Sequence, residues 1–235
     1  MTEISESAPA SLVGVQSGQR LRLLLKSRSG VAGLILVGLL AILCVLAAFG
    51  LLPYDPLAQA PQQRLLPPSA AHWFGTDQFG RDVFSRVAAG VASSALIAVV
   101  AVAFATVVGT LAGVSAGFFR GVSDAVVSGV TNVLFAFPPL LLALSLASVF
   151  DRNWFTIAVA IAIVYVPIFI RVTRGPVLSL REIDFVRAAV SSGQRRAAIM
   201  FRHVLPNITS ILIVQVTLSL SWAVLTEASL SFLGL

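Results

Sequence analysis

Five long apolar stretches divide this chain, and the polar segments between them differ in kind. The first apolar run, about 30–52, carries no charge and is long enough to cross a bilayer as a helix. Residues 53–86 then turn polar and rich in Pro, Gln and Gly, the composition of a loop. A second run covers about 87–119, longer than one crossing needs, which predicts a tilted or projecting helix. A third, about 125–150, is interrupted by Pro138-Pro139 and is expected to kink there, because proline removes a backbone donor. The fourth covers about 154–170 and the fifth about 208–226. Between the last two lies a patterned basic segment, 171–206, with seven Arg against only Glu182 and Asp184.

Periodicity predicts two short helices within that segment. In the first, about 182–191, Ile183, Val186 and Val190 share a face by three- and four-residue spacing. Ser192-Gly193 should end it, and a second helix, about 194–204, should stop before Pro206. A surface helix-turn-helix of this size suits a groove on another protein. The same charges would also attract anionic lipid. In the second apolar run, Ala101, Ala105, Gly109, Gly113 and Gly117 place a small residue at every fourth position, which lets another helix approach closely, most simply within the chain. Thr131 and Asn132 are expected to bond a neighbouring helix rather than a cargo.

Composition then fixes the class. Of 235 residues, 57% are apolar and 11% charged, with mean hydropathy +0.95; soluble domains carry about 25% charged residues. This is an all-α polytopic membrane protein. The net charge of +6 does not indicate nucleic acid, because the basic residues gather between apolar runs. Twelve of the sixteen fall on the side of the N-terminus and of 171–206, which places both in the cytoplasm and 53–86 outside. The polar N-terminus does not read as a signal peptide, so the first run should stay in the membrane.

The chemistry is chiefly what is absent. The lone Cys44 makes neither a disulfide nor a metal site. The only lysine, Lys26, lacks the glycines of a phosphate-binding loop, so the chain is not expected to hydrolyse ATP. No Asp, Glu, Lys or His falls squarely within a span, which argues against an ion-coupled carrier, although Glu227 near the end of the fifth keeps that question open. A passive channel or ion-coupled carrier with a lipid-binding basic loop remains the alternative.

Two motifs sharpen this. R-A-A-V-S-S-G followed by L-P, through Ala188, Ala189, Gly193, Leu205 and Pro206, resembles the E-A-A-x-x-x-G…L-P signature of ABC-importer permeases. H-W-F-G-T-D-Q-F-G-R-D-V-F-S-R, residues 72–86, resembles the outer segment of the dipeptide/oligopeptide/nickel permeases of the DppC/OppC type, and F-A-F-P-P-L-L-L-A-L and A-S-L-S-F-L-G-L follow in the family's order. The resemblance implies a type I ABC importer transmembrane subunit in the bacterial inner membrane; the apolar runs and the basic bias divide it into a cytoplasmic N-terminal segment 1–29, a first helix 30–52, an outer loop 53–86 and a permease core 87–235 with the cytoplasmic coupling segment 171–206. It implies a second homologous permease, two cytoplasmic ATPases that bind ATP and Mg, an extracytoplasmic substrate-binding protein, and short peptides as cargo; no cofactor or catalytic residue is expected in this chain. It assigns ATPase coupling to Glu182, Asp184, Arg187, Ala188, Ala189, Gly193, Arg195, Arg196, Leu205 and Pro206. It assigns the outer loop's functional residues to Phe74, Gly75, Thr76, Asp77, Gly80, Arg81 and Asp82. The signature's leading Glu is Arg187 here, so its contact would pass to Glu182 or Asp184. Six core spans are usual, and the sixth is expected after Leu235.

Overall fold

The computed structural model describes residues 25–149 and 153–234. Most of the 1–29 segment, Arg152 among the outer basic residues, and Leu235 lie outside those residues. Among the described residues all regular structure is helical: α1 (Arg28–Ala48), α2 (Val83–Phe119), α3 (Gly121–Phe135), α4 (Pro139–Val149), α5 (Trp154–Leu180), α6 (Asp184–Ser191), α7 (Arg196–Ile199) and α8 (Leu205–Phe232). Four helices are long and apolar enough to span a membrane, and α3 with α4 makes a broken fifth. The chain divides into two compact units, 1–88 and 89–235.

In the first unit, α1 is apolar all round beyond Arg28 and Ser29 and buries no residue, as a helix whose solvent is lipid would. The loop after it is ordered. An isolated antiparallel bridge joins Thr76 to Asp82, and Asp82 accepts the Ser85 N–H at 2.8 Å across the first turn of α2.

In the second unit, α5 is the central helix. Ile161, Phe169 and Val177 are fully buried, and α3, α4 and α8 all pack on it. The small-residue stripe of α2 packs on it too. A Cβ on Gly109 would come within 2.5 Å of Phe169 Cβ, and one on Gly113 would overlap Thr173 Oγ1. The expected close approach within the chain is therefore observed, and Ala101 and Ala105 are buried beside it.

Several expected boundaries are corrected. The two prolines do more than kink the third span: α3 and α4 meet at 93°, because neither Pro138 nor Pro139 can donate to the preceding turn. α5 continues to Leu180 with Pro167 and Pro176 inside it, so Arg171 and Arg174 are helical and not part of a loop. Nor does the second short helix stop before Pro206. It passes through a π-turn, Met200–Val204, into α8, and the Leu205 N–H reaches back five residues to the Met200 carbonyl. The wider turn seats Pro206 at the start of α8, where the helix shifts its hydrogen-bond register around the missing N–H. Glu227 lies within α8 and is buried, so an acid does sit inside an apolar helix. Thr131 bonds the Val127 carbonyl of its own helix at 2.7 Å rather than a neighbour.

Candidate functional site: the 181–206 segment and the 53–86 loop

The segment left between α5 and α8 is short and anchored. Helix α6 turns Val186 (0% exposed) and Ala189 inward, onto a core that includes Val177, Ile199, Val204 and Ile208. Burying a Val side chain is worth about 1.5–3 kcal/mol, enough to hold a two-turn helix that is marginal alone. The expected apolar face of Ile183, Val186 and Val190 splits. Ile183 caps the helix, and it and Val190 are about half exposed, as is Phe185. Helix α6 thus has one face fixed to the bundle and a second, partly apolar face uncovered.

Gly193 ends this unit with φ +73° and nothing within 4 Å of where a Cβ would lie. Its N–H bonds the Val190 carbonyl at 3.0 Å and the Gln194 N–H that of Ala189 at 3.2 Å, a left-handed helix stop. Arg195 precedes α7 and Arg196 opens it, both exposed, while Ala188 faces out and Leu205 packs on the core below.

Beside α6 lies a half-open cavity of about 450 Å³ between Phe118, Phe119, Arg181, Glu182, Arg187 and Arg196. Glu182 is its hub: Arg120 donates to one carboxylate oxygen at 3.1 Å and Arg187 to the other at 2.7 Å. Arg187, chiefly, holds the Glu182 carboxyl below the usual carboxylate range, and Arg120 adds to this. Arg181 donates to the Phe118 carbonyl at 2.7 Å, closing the end of α2. The structure thus brings Glu182, Arg187 and Arg196 together. Ala189 lies on the buried side, and Leu205 and Pro206 open α8. Sequence reading missed Arg120, at φ +57° in the turn between α2 and α3, and the pairing of Arg174 with Asp124. No spacing rule signals pairs fifty or more residues apart.

In the other unit the 53–86 loop folds on two carboxylates. Asp77 accepts the backbone N–H groups of Phe79 at 2.8 Å and Arg81 at 3.0 Å, the Arg81 guanidinium at 2.8 Å, and a charge-assisted bond from Arg86. Burial alone would raise its pKa, but these four donors hold it well below the usual carboxylate range. Asp82 is paired with buried His72 at 2.9 Å, and here too the Ser85 N–H and His72 outweigh burial and lower the carboxyl. Thr76 Oγ1 donates to the Gln63 carbonyl and accepts the Leu66 N–H at 2.9 Å. Gly80 has φ +75°, and a Cβ there would overlap the Ala60 carbonyl. Gly75 likewise has φ +72°. Phe74 meets Phe84 edge to face at 5.5 Å. All seven expected loop residues therefore belong to one scaffold, together with His72, Ser85 and Arg86.

Residues 109–235 match the family of binding-protein-dependent transport system inner membrane components, and residues 17–68 match the N-terminal transmembrane domain of oligopeptide transport permease C. The dipeptide transport system permease protein DppC of Alkalihalophilus pseudofirmus is 39% identical over 211 residues, covering 89% of this chain and 69% of that protein. The probable D,D-dipeptide transport system permease protein DdpC of Escherichia coli is 41% identical over 182 residues, covering 77% and 61%. The glutathione transport system permease protein GsiD of Pectobacterium atrosepticum is 37% identical over 202 residues, covering 84% and 67%. The chain thus spans about two thirds of the length of these relatives. With its apolar helices, ordered loop and amphipathic segment, the chain belongs to the binding-protein-dependent transport permeases, as a DppC/OppC-like membrane subunit of an ABC importer.

Proposed function

We propose that this chain passes di- and oligopeptides inward by alternating access and takes its energy from separate ATPases docked on the 181–206 segment. The peptide and glutathione transport named for the relatives supports this class of cargo. The observation that carries the coupling is helix α6: its inner face is packed on the bundle core, and its outer face leaves Ile183, Phe185 and Val190 exposed beside a stop at Gly193. A helix held this way transmits a push to the spans because it cannot slide on them. Glu182, Asp184, Arg187, Ala188, Arg195 and Arg196 supply the polar and close-approach contacts, while Ala189, Leu205 and Pro206 keep the segment on the bundle.

In the proposed cycle, two ATPases holding ATP and Mg close, the segment moves with them, and a cavity shared with a second permease opens outward to receive peptide from a binding protein on the 53–86 side. Hydrolysis resets it. The chain carries out no bond chemistry. Its N-terminus and the 181–206 segment lie in the cytoplasm, following the bias of basic residues to that side.

The test is co-purification of the ATPases from detergent-solubilised membranes. Gly193→Trp places a bulky residue where φ is +73°, at about 1–2 kcal/mol of strain and in the space a partner would fill. Gly193→Asn tolerates the same backbone. Retention with Asn and loss with Trp is expected; equal retention with both sinks the docking assignment.

A further inference from the structure

Where α3 breaks from α4, the chain is irregular between two apolar helices. Pro139 has no N–H, so the Phe135 carbonyl lacks its i+4 donor. Irregular backbone at membrane depth is tolerated only where protein buries it or water reaches it. The described residues do not bury it: Phe135, Phe137 and Pro139 line a half-open groove of about 490 Å³, completed by α5 and α8, with Phe137 53% exposed.

The opposite wall mixes apolar Trp222 and Leu225 with uncharged polar residues. Gln215, Ser219, Trp222 and Thr226 all line the groove, and their spacing of four, three and four residues makes one stripe along α8, about 16 Å long. None of the described residues lining the groove is charged. The hydrogen bonds within this wall leave capacity unused. Thr226 Oγ1 bonds the Trp222 carbonyl at 2.9 Å and lies 3.3 Å from the hydroxyl of Tyr165, a residue 7% exposed whose hydroxyl keeps one hydrogen-bonding position whichever of the two donates. Gln215 spends one N–H on Ser219 Oγ at 3.1 Å and keeps its carbonyl and second N–H.

We infer that this groove is the cargo-facing wall of the translocation path, and that Tyr165 and Gln215 hydrogen-bond the amide backbone of a passing peptide while its side chains slide over Phe135, Phe137 and Trp222. This rests on the peptide-import reading above and adds the feature recognised. A side-chain amide offers the same donor and acceptor as a peptide bond. An uncharged wall neither traps nor rejects cargo by side-chain charge, so peptides of different sequence share one path.

The test uses the full-length protein with its partner subunits in proteoliposomes, in a Cys44→Ser background. Gln215→Cys and Thr226→Cys are exposed to a charged methanethiosulfonate that does not enter lipid, with Val107→Cys on an exposed face of α2 as the comparison. During turnover with ATP and peptide-loaded binding protein, both groove thiols should react at least about tenfold faster than Cys at 107. Equal, slow reaction at all three would mean that lipid or a neighbouring subunit fills the groove, and the inference is overturned. Tyr165→Phe and Gln215→Leu should each lower peptide uptake per ATP hydrolysed by roughly three- to tenfold, the scale of one lost hydrogen bond; unchanged uptake removes the amide contact. Peptide uptake by the Cys44→Ser parent tests the import reading by itself. Fast groove labelling in a parent that imports no peptide overturns the amide assignment together with that reading, and slow labelling in a parent that does import overturns the groove alone.

Discussion

Arg174 donates to both carboxylate oxygens of Asp124, at 2.5 and 2.7 Å, tying the first turn of α3 to α5 across fifty residues of chain. Both side chains are mostly buried, and Arg171 lies over the Phe135 ring at 4.0 Å further along the same pair of helices. The broken span is therefore pinned to the central helix by charge at one end and by a cation–ring contact near the break.

Arg174→Ala should lower the thermal midpoint of the detergent-solubilised protein by the equivalent of about 1–3 kcal/mol, since it strands a carboxylate. Arg174→Lys should recover part of that, because an ammonium cannot repeat the two-pronged geometry. An unchanged midpoint for the alanine variant would show that the pair is replaceable by water.

Gly113→Leu should be among the most damaging single changes in the chain. Its Cβ would overlap Thr173 Oγ1 and come within 2.6 Å of the Ile170 carbonyl oxygen, so α2 and α5 must separate. Gly129→Ala meets nothing within 4 Å and should be neutral or stabilise α3 by up to about 1 kcal/mol. Folded yield by size-exclusion chromatography separates them, and equal yields would contradict the packing.

The 53–86 loop should loosen in acid. The Asp77 carboxyl is lower in the folded loop than in the unfolded chain, so its contribution is fully present above the ordinary carboxylate pKa of about 4 and fades as pH falls below it. Amide exchange at Phe79 and Arg81, whose N–H groups Asp77 accepts, should lose protection between about pH 4 and pH 2 once intrinsic exchange is corrected for. Asp77→Asn should abolish that pH dependence, and an identical profile in the variant would assign it to another group.

Glu182→Gln should change stability little, because its pairs with Arg120 and Arg187 are exposed and screened by water. In the assembled transporter it should raise the ATP hydrolysed per peptide moved, because α6 loses its tie to the turn between α2 and α3. An unaltered ratio would show that Val186 and Ala189 alone carry the motion.

The glycine stripe of α2, the turn at Gly193 and the interruption at Pro138-Pro139 were legible as sequence because each is a local property. Small size, left-handed backbone and a missing N–H act within a few residues, and spacing records them. Eight of the ten expected coupling residues lie between α5 and α8, with Leu205 and Pro206 in α8 itself, and their division into buried and exposed was not legible. Ile183 and Val190 are apolar and suitably spaced, yet α6 begins only at Asp184 and its tilt on the bundle selects Val186 and Ala189.

By itself, the sequence determined that the chain is helical and spans a membrane, which residues interrupt its spans, and which stretches carry the family's motifs; apolar run length and backbone chemistry suffice for these. Only the tertiary structure decided that Arg171 and Arg174 belong to a helix, that a π-turn carries the chain past Pro206, and that Asp124, Glu182 and Gln215 find the surroundings they do. Such outcomes depend on how helices far apart in sequence pack, and that energy is shared among many side chains rather than written in any one of them.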